Sequence, residues 1–437
     1  MSATSDHVLK HQLPVSGMGT PWVQLTIGII CMACVANLQY GWTLFVNPID
    51  AKYHWGRSAI QVAFTLFVAI ETLLVPVEGY VVDRFGPRWV VLGGGILVGL
   101  SWMLNSVASS LAALYVAALI GGIGTGCVYG TCVGNALKWF PGRRGFAAGL
   151  TAAGFGAGAA LTVVPISHMI ASAGYEQAFL VFGLIQGGIV FVLAWLLQPP
   201  PPQLLAAAAH PTRSARGYAP GEVLKSPVFY VLYSMFVLVS AGGLTMTASM
   251  APIAKDFKIE RLPVTLFGLT MPALAFALSL NRIFDGVGRP FFGWLSDQIG
   301  REYTMALAFS VGAAALFTLS RLGTTPVVFV LVTALYFGVY GEVFSLFPAT
   351  QGDTFGSKFA AANAGMLYTA KGAGSLLVIP SAAIAAAYGW GFVFNIAMCL
   401  NVSAALLALF VLKPMRARHF AKSNLTSDRR DPIWTKR

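Results

Sequence analysis

The sequence predicts an all-α polytopic membrane protein: twelve transmembrane helices in two pseudo-symmetric six-helix bundles. Three observations predict it. The composition is too apolar for a water-soluble globule, apolar runs of bilayer length recur along nearly the whole chain, and one polar loop signature occurs once in each half. Of 437 residues, 57% are hydrophobic and 10% charged, with a mean hydropathy of +0.72. A soluble domain carries charge on about a quarter of its residues. A membrane-crossing helix needs roughly 17–25 apolar residues, and such runs extend from Trp22 to Leu412.

Breaking these runs at polar, proline and glycine clusters places spans at 22–46, 60–82, 88–108, 111–138, 145–170, 177–197, 227–251, 263–295, 303–321, 326–349, 358–387 and 389–412. Residues 1–21 are polar and broken by Pro and Gly, with no apolar core before a cleavage site, so the first span is expected to serve as the insertion signal. The stretch QPPPPQLLAAAAHPTRSARGYAPGEVLKS (198–226) opens on a proline run that cannot continue a helix. The expected organisation is a tail (1–21), a six-helix bundle (22–197), a linker (198–226), a second bundle (227–412) and a basic tail (413–437).

The net charge of +12 raises the question of a nucleic-acid partner, and its distribution answers no. With both termini cytoplasmic, 19 of the 28 Lys and Arg fall in cytoplasmic segments, 6 in external loops and three within spans. That is the positive-inside pattern, so the bilayer is the partner and the inner membrane the expected location. The five cysteines all fall in spans and read as small packing residues, without the spacing of a disulfide framework or a metal site.

The repeated loop reads GYVVDRFGPR (79–88) after span two and GWLSDQIGR (293–301) after span eight. Gly79 and Gly293 would let helices approach closely. Asp83 and Asp297 can accept hydrogen bonds at helix ends or pair with arginines, and Arg88 and Arg301 close the two copies.

Charge inside the bilayer costs roughly 2.5–3.5 kcal/mol at the centre, so each intramembrane ionisable residue is a functional candidate. Those residues are Glu71 and Glu78 in span two, Arg282, Asp285 and Arg289 in span eight, Glu342 in span ten and Lys371 in span eleven. The span-eight trio falls at i, i+3 and i+7, on one helical face, where Asp285 can neutralise only one arginine. The blander alternatives are a self-contained Arg–Asp–Arg ladder for packing and, for Lys371, snorkelling to an interface. If spans eight and eleven share a cavity, Arg289 and Lys371 make two cationic poles that a small dicarboxylate would compensate. Aromatic residues for such a cavity are Tyr40 and Trp42 in span one, Tyr129 in span four, Tyr336, Tyr340 and Phe344 in span ten and Tyr368 in span eleven. Each taken alone reads as ordinary packing. Glycines at every fourth residue from Gly122 to Gly134, and the run GFAAGLTAAGFGAGA (145–159), permit close helix contact, whether static or sliding.

The strings NLQYGWTLFVNPI, YGTCVGNALKWFPGRRGFAAGLTAAGFG, DGVGRPFFGWLSDQIGR, SLFPATQGDTFG and YTAKGAGS, in this order, resemble the bacterial oxalate/formate antiporter family of the major facilitator superfamily. The resemblance covers nearly the whole chain. It implies alternating access around a central site, exchange of extracellular oxalate for cytoplasmic formate, and no use of ATP or another cofactor. It also implies that Arg289 and Lys371 bind the anion, with Gln39, Tyr40, Trp42 and Tyr129 around it. The chain departs from the family pattern at Tyr340, Tyr368 and Phe344, where the pattern has Trp, Trp and Tyr. Arg282, Asp285 and Glu342 add charge that the pattern lacks. Action as a monomer is expected by analogy with the superfamily alone.

The alternative is proton-coupled symport of a monocarboxylate, with Glu342 or Asp285 as proton carrier. An enzyme is not expected: His168 is the one histidine well inside the apolar core, and the sequence has no phosphate-binding glycine loop, poised nucleophile or metal-ligand spacing.

Overall fold

The computed structural model describes residues 19–201, 217–266 and 268–428. Most of the expected 1–21 tail, the middle of the 198–226 linker and the end of the 413–437 tail lie outside the described residues. Among the described residues the helices line up as twelve rods. The first rod is α1 (Pro21–Val35), α2 (Asn37–Tyr40) and α3 (Thr43–Tyr53). Next come α4 (Arg57–Phe85), α5 (Pro87–Val107), α6 (Leu111–Trp139), α7 (Arg144–Ala173) and α8 (Tyr175–Ala194). After the short α9 (Pro220–Val223), the chain continues with α10 (Pro227–Asp256), α11 (Ala273–Ile299) and α12 (Arg301–Leu322). The tenth rod is α13 (Pro326–Tyr340) with α14 (Val343–Phe355), and the eleventh is α15 (Ala360–Leu376) with α16 (Ile379–Tyr388). The last is α17 (Trp390–Leu406), a π-helical turn (Leu407–Leu412) and α18 (Lys413–Asp428).

Proline opens α1, α5, α10 and α13, where its missing N–H costs nothing and its fixed φ suits the first turn. The second glycine of the repeated loop takes φ of 86° at Gly86 and 99° at Gly300, values that other residues rarely adopt. It turns α4 into α5 and α11 into α12. Nine of the described helical stretches are long and apolar enough to cross a membrane. α11 and α15, which carry Arg289 and Lys371, are not among them.

The structure corrects several boundaries. Span eight was expected from residue 263, but residues Pro263–Leu266 (β1) and Leu269–Pro272 (β2) form an antiparallel hairpin, and the helix starts at Ala273. A short apolar run bounded by prolines does not reveal its own period; Thr265 and Thr270 face each other with hydroxyls 2.8 Å apart. Spans one, ten and eleven are each broken near the middle instead of being single helices. The linker is partly docked, since the Tyr218 N–H donates to the Phe355 carbonyl at 2.9 Å. From Lys413 the chain stays helical, and Arg416 is buried, donating to Thr354 Oγ1 (2.8 Å) and to Glu302.

The first six rods pack chiefly among themselves, as do the last six. Between the two sets the main contacts are α4 with α15 and α7 with α11, supplemented by α14 on α7. These two crossings position the site.

Candidate functional site

Arg289 lies midway along α11, just before Pro290, and is 3% exposed. Gly149 of α7 sits under it: a Cβ there would come within 2.3 Å of the Arg289 carbonyl oxygen. That close approach brings the α7 backbone within reach of the guanidinium. One terminal nitrogen donates to the Ala152 carbonyl (2.9 Å) and the other to Asp285 Oδ2 (2.7 Å). The Nε donates to no protein atom. The guanidinium carbon lies 4.7 Å from the centre of the Phe344 ring.

Lys371 approaches the same ring from α15. Its Nζ donates to Tyr368 Oη at 2.8 Å and lies 5.8 Å from the Phe344 centroid. The Lys side chain is 8% exposed. It has no room to snorkel, and stacking over aromatic faces supplies part of the solvation it loses. Phe344, on α14, is thus approached by both cations.

Around this centre the rings form a continuous wall. Tyr368 lies 4.9 Å from Tyr129 and 6.3 Å from Phe344; Tyr340 lies 6.0 Å from Phe344. Phe155 bridges Tyr129 (5.5 Å) and Tyr40 (5.3 Å). Buried Gln39 Oε1 and Tyr340 Oη have no protein partner. Trp42 is placed apart from this group: it lines a small void with Phe67, Ser101 and Asn105.

The other charges divide. Asp285 pairs with Arg289 at 2.7 Å, whereas Arg282 is exposed and lies 5.2 Å over the Tyr40 ring. The sequence periodicity placed all three on one face; the four-residue step, not the three-residue one, makes the pair. Glu342 is fully buried at the break between α13 and α14, and neither carboxylate oxygen has a hydrogen-bond partner.

At the end of the bundle that bears Arg144, Arg301 and Asp83, here called the basic end, the repeated loops close the two crossings. Asp83 accepts the Ala362 N–H (3.0 Å) at the start of α15 and pairs with Lys138 (2.6 Å). Asp297 accepts the Gly145 and Phe146 N–H groups (3.2 and 3.0 Å) at the start of α7. Each carboxylate caps a helix N-terminus of the other set of rods, where unpaired N–H groups and the helix dipole favour an anion. Gly79 and Gly293 allow this, because a Cβ would meet Ala361 backbone at 2.5 Å and Gly145 backbone at 2.1 Å. Arg301 pairs with both Asp297 (2.7 Å) and Asp353 (2.9 Å), and Asp353 also pairs with Arg144 (2.9 Å). Arg88, its sequence counterpart, is half-buried. Further toward the opposite end, Gly156 of α7 and Gly286 of α11 face no atom within 4 Å. The crossing α7–α11 therefore closes at the basic end and opens away from it.

Sequence reasoning did not assign Arg144, Asp353 and Lys138, whose partners are 52 to 209 residues away. It noticed Glu71 as an intramembrane charge without giving it a place. Among the described residues no group of three or more His, Cys, Asp or Glu could hold a metal.

Residues 27–379 match the family model of the Major Facilitator Superfamily. The chain is 35% identical over 402 residues to an oxalate:formate antiporter of Oxalobacter formigenes, covering 91% of this chain and 93% of that one. Monocarboxylate transporter 11 of Homo sapiens is 28% identical over 252 residues, 57% of this chain and 51% of that one. A proton:xylose symporter structure superposes with a TM-score of 0.67 at 12% identity, over 90% of this chain and 96% of the other. Apolar helices, twelve rods crossing at two paired contacts, and these likenesses converge: the chain belongs to the Major Facilitator Superfamily, and it is a multi-pass membrane transporter rather than an enzyme.

Proposed function

We propose that this protein exchanges small carboxylates, oxalate against formate, across a bacterial inner membrane by alternating access, with both termini cytoplasmic. One observation carries the reading: Arg289 and Lys371, from different helices, flank one buried phenyl ring. Two cations in a low-dielectric site are unfavourable neighbours unless anions compensate them, and Asp285 supplies one carboxylate to Arg289 alone. The Arg289 Nε and the two remaining Lys371 protons are donors left over for such an anion. The aromatic wall would exclude water, and Gln39 and Tyr340 offer polar contacts to its edge. A planar dianion suits the span between a fork and a point charge; formate would engage one pole at a time.

In this reading the two six-helix halves, 22–197 and 227–412, rock about the site, and the Asp83 and Asp297 caps are latches holding the cytoplasmic side shut. The relationship to an oxalate:formate antiporter supports the substrate class. The test is uptake of labelled oxalate into proteoliposomes preloaded with formate, oxalate or buffer. Uptake that depends on internal anion and is lost in Lys371→Ala is the expected result. Normal oxalate exchange by Lys371→Ala would discard the site.

A second reading has its own observation. Asp285 already occupies one face of Arg289, which favours a monoanion, and together with buried Glu342 it offers a proton-carrying carboxyl. Proton-coupled monocarboxylate symport predicts uptake driven by an inward proton gradient without internal anion.

A further inference from the structure

Glu71 is, with Glu342, one of two fully buried carboxylates among the described residues that no hydrogen bond supports. It sits on α4 at zero exposure, and neither carboxylate oxygen accepts a hydrogen bond. A carboxyl so placed must be compensated or neutral. The compensating group lies on the facing helix. α4 runs along α15, and Thr72, the next residue, touches it where a Cβ on Gly372 would be 3.2 Å from Thr72 Cγ2. Gly372 adjoins Lys371, so Glu71 and Lys371 occupy neighbouring positions across this contact, near enough to attract each other but without a direct ion pair. Lys371 spends only one donor, on Tyr368. Glu78, the other buried carboxyl of α4, lies seven residues on, two helical turns toward the basic end, against Gly126 of α6.

The buried site thus contains one direct ion pair, Arg289 with Asp285, and one longer-range cation–carboxylate couple, Lys371 with Glu71. Arg282 stands outside this set, exposed over Tyr40. The consequence concerns the empty carrier. Reorientation requires the site to close off from water, and an uncompensated cation opposes closure because it loses hydration without gaining a partner. A bound anion removes that barrier, which is why a site with bare cations is confined to exchange. A site that carries its own anions is not so confined.

We propose that Glu71 is a resident counter-ion for Lys371 that, with Asp285 on Arg289, balances the empty site, so that this protein returns without cargo and performs net anion transport as well as exchange. The inference rests on the exchange reading above for its substrates. Substrate arriving at Lys371 takes over the compensation, and Glu71 is released to accept a proton or to turn toward Thr72 and the α4–α15 seam.

The test compares two effluxes from proteoliposomes loaded with labelled oxalate, the membrane potential being clamped by potassium and valinomycin. One is into buffer containing formate or oxalate, and the other is into anion-free buffer. Efflux into anion-free buffer within about tenfold of the exchange rate is expected from the native protein. In Glu71→Gln the ratio of net efflux to exchange should fall about tenfold or more, since Lys371 is then bare in the empty state. Glu71→Asp should restore part of it. Persisting exchange in Glu71→Gln also reports that the variant is folded. Brisk exchange with net efflux at the level of protein-free vesicles overturns the inference and leaves the exchange reading standing. An unchanged ratio in Glu71→Gln removes Glu71 from the role. Absence of exchange for both anions overturns the exchange reading, and this inference with it.

Discussion

The two crossings that join the halves, α7–α11 and α4–α15, are built on one plan and bonded very differently. Each has a glycine that brings backbones together, an aspartate that caps the partner helix, and a cation deeper in. At α7–α11 the cation reaches across to a fixed main-chain acceptor, Ala152, and the aspartate belongs to a network of Asp297, Arg301, Asp353 and Arg144. At α4–α15 the aspartate has one cross-bond, to Ala362, and one lysine whose side chain is 15% exposed. Lys371 bonds within its own helix, to Tyr368. One crossing is pinned by directional bonds at the basic end and in the middle; the other is pinned at the basic end and charge-coupled in the middle. Of the two, α4–α15 has fewer directional bonds to break.

Four outcomes would sharpen or break this comparison. The largest is Arg301→Ala, which leaves Asp297 and Asp353 buried with fewer partners. A loss of about 3–5 kcal/mol is expected for breaking a buried pair on one side, read as a fall in the thermal unfolding midpoint in detergent. Second, Arg289→Lys keeps the charge but not the fork that spans Ala152 and Asp285; oxalate exchange should drop by about a hundredfold, equivalent to about 2.7 kcal/mol. Lys371→Arg should cost less, and equal losses would erase the distinction between the two cations. Third, Asp83→Asn weakens a single cap and one ion pair, for about 1–2 kcal/mol. If it proved as damaging as Arg301→Ala, the ranking of the two crossings would fall. Smallest is Lys138→Ala, at under about 1 kcal/mol, because the lysine is partly solvated and Asp83 keeps its backbone donor.

What could be read from the sequence follows from what is periodic or local. Rod positions came from apolar length, and Gly79, Asp83, Gly293 and Asp297 stood out because the signature recurs. Arg289 and Lys371 stood out because charge in a bilayer is costly. The choice of Arg289 over Arg282 as the partner of Asp285 was not legible, since it depends on Tyr40 and Ala152, contributed by distant helices. Trp42 carried the same aromatic signal as Tyr40, yet a one-turn break after Tyr40 sends it toward Phe67 and Asn105 instead. The 263–272 hairpin escaped because its apolar residues match a helix start as well as a strand. Breaks at Gly41, Gly341 and Leu377 fall inside apolar runs that hydropathy treats as continuous.

Arg416 ties the segment after Leu412 into the bundle. Its side chain reaches Thr354, the neighbour of Asp353, so α18 grips the same turn of α14 that ties Arg144 to Arg301. A fluorescent protein or affinity tag spliced in shortly after Leu412 would therefore slacken the pinned crossing, while one joined beyond Asp428 would leave it intact.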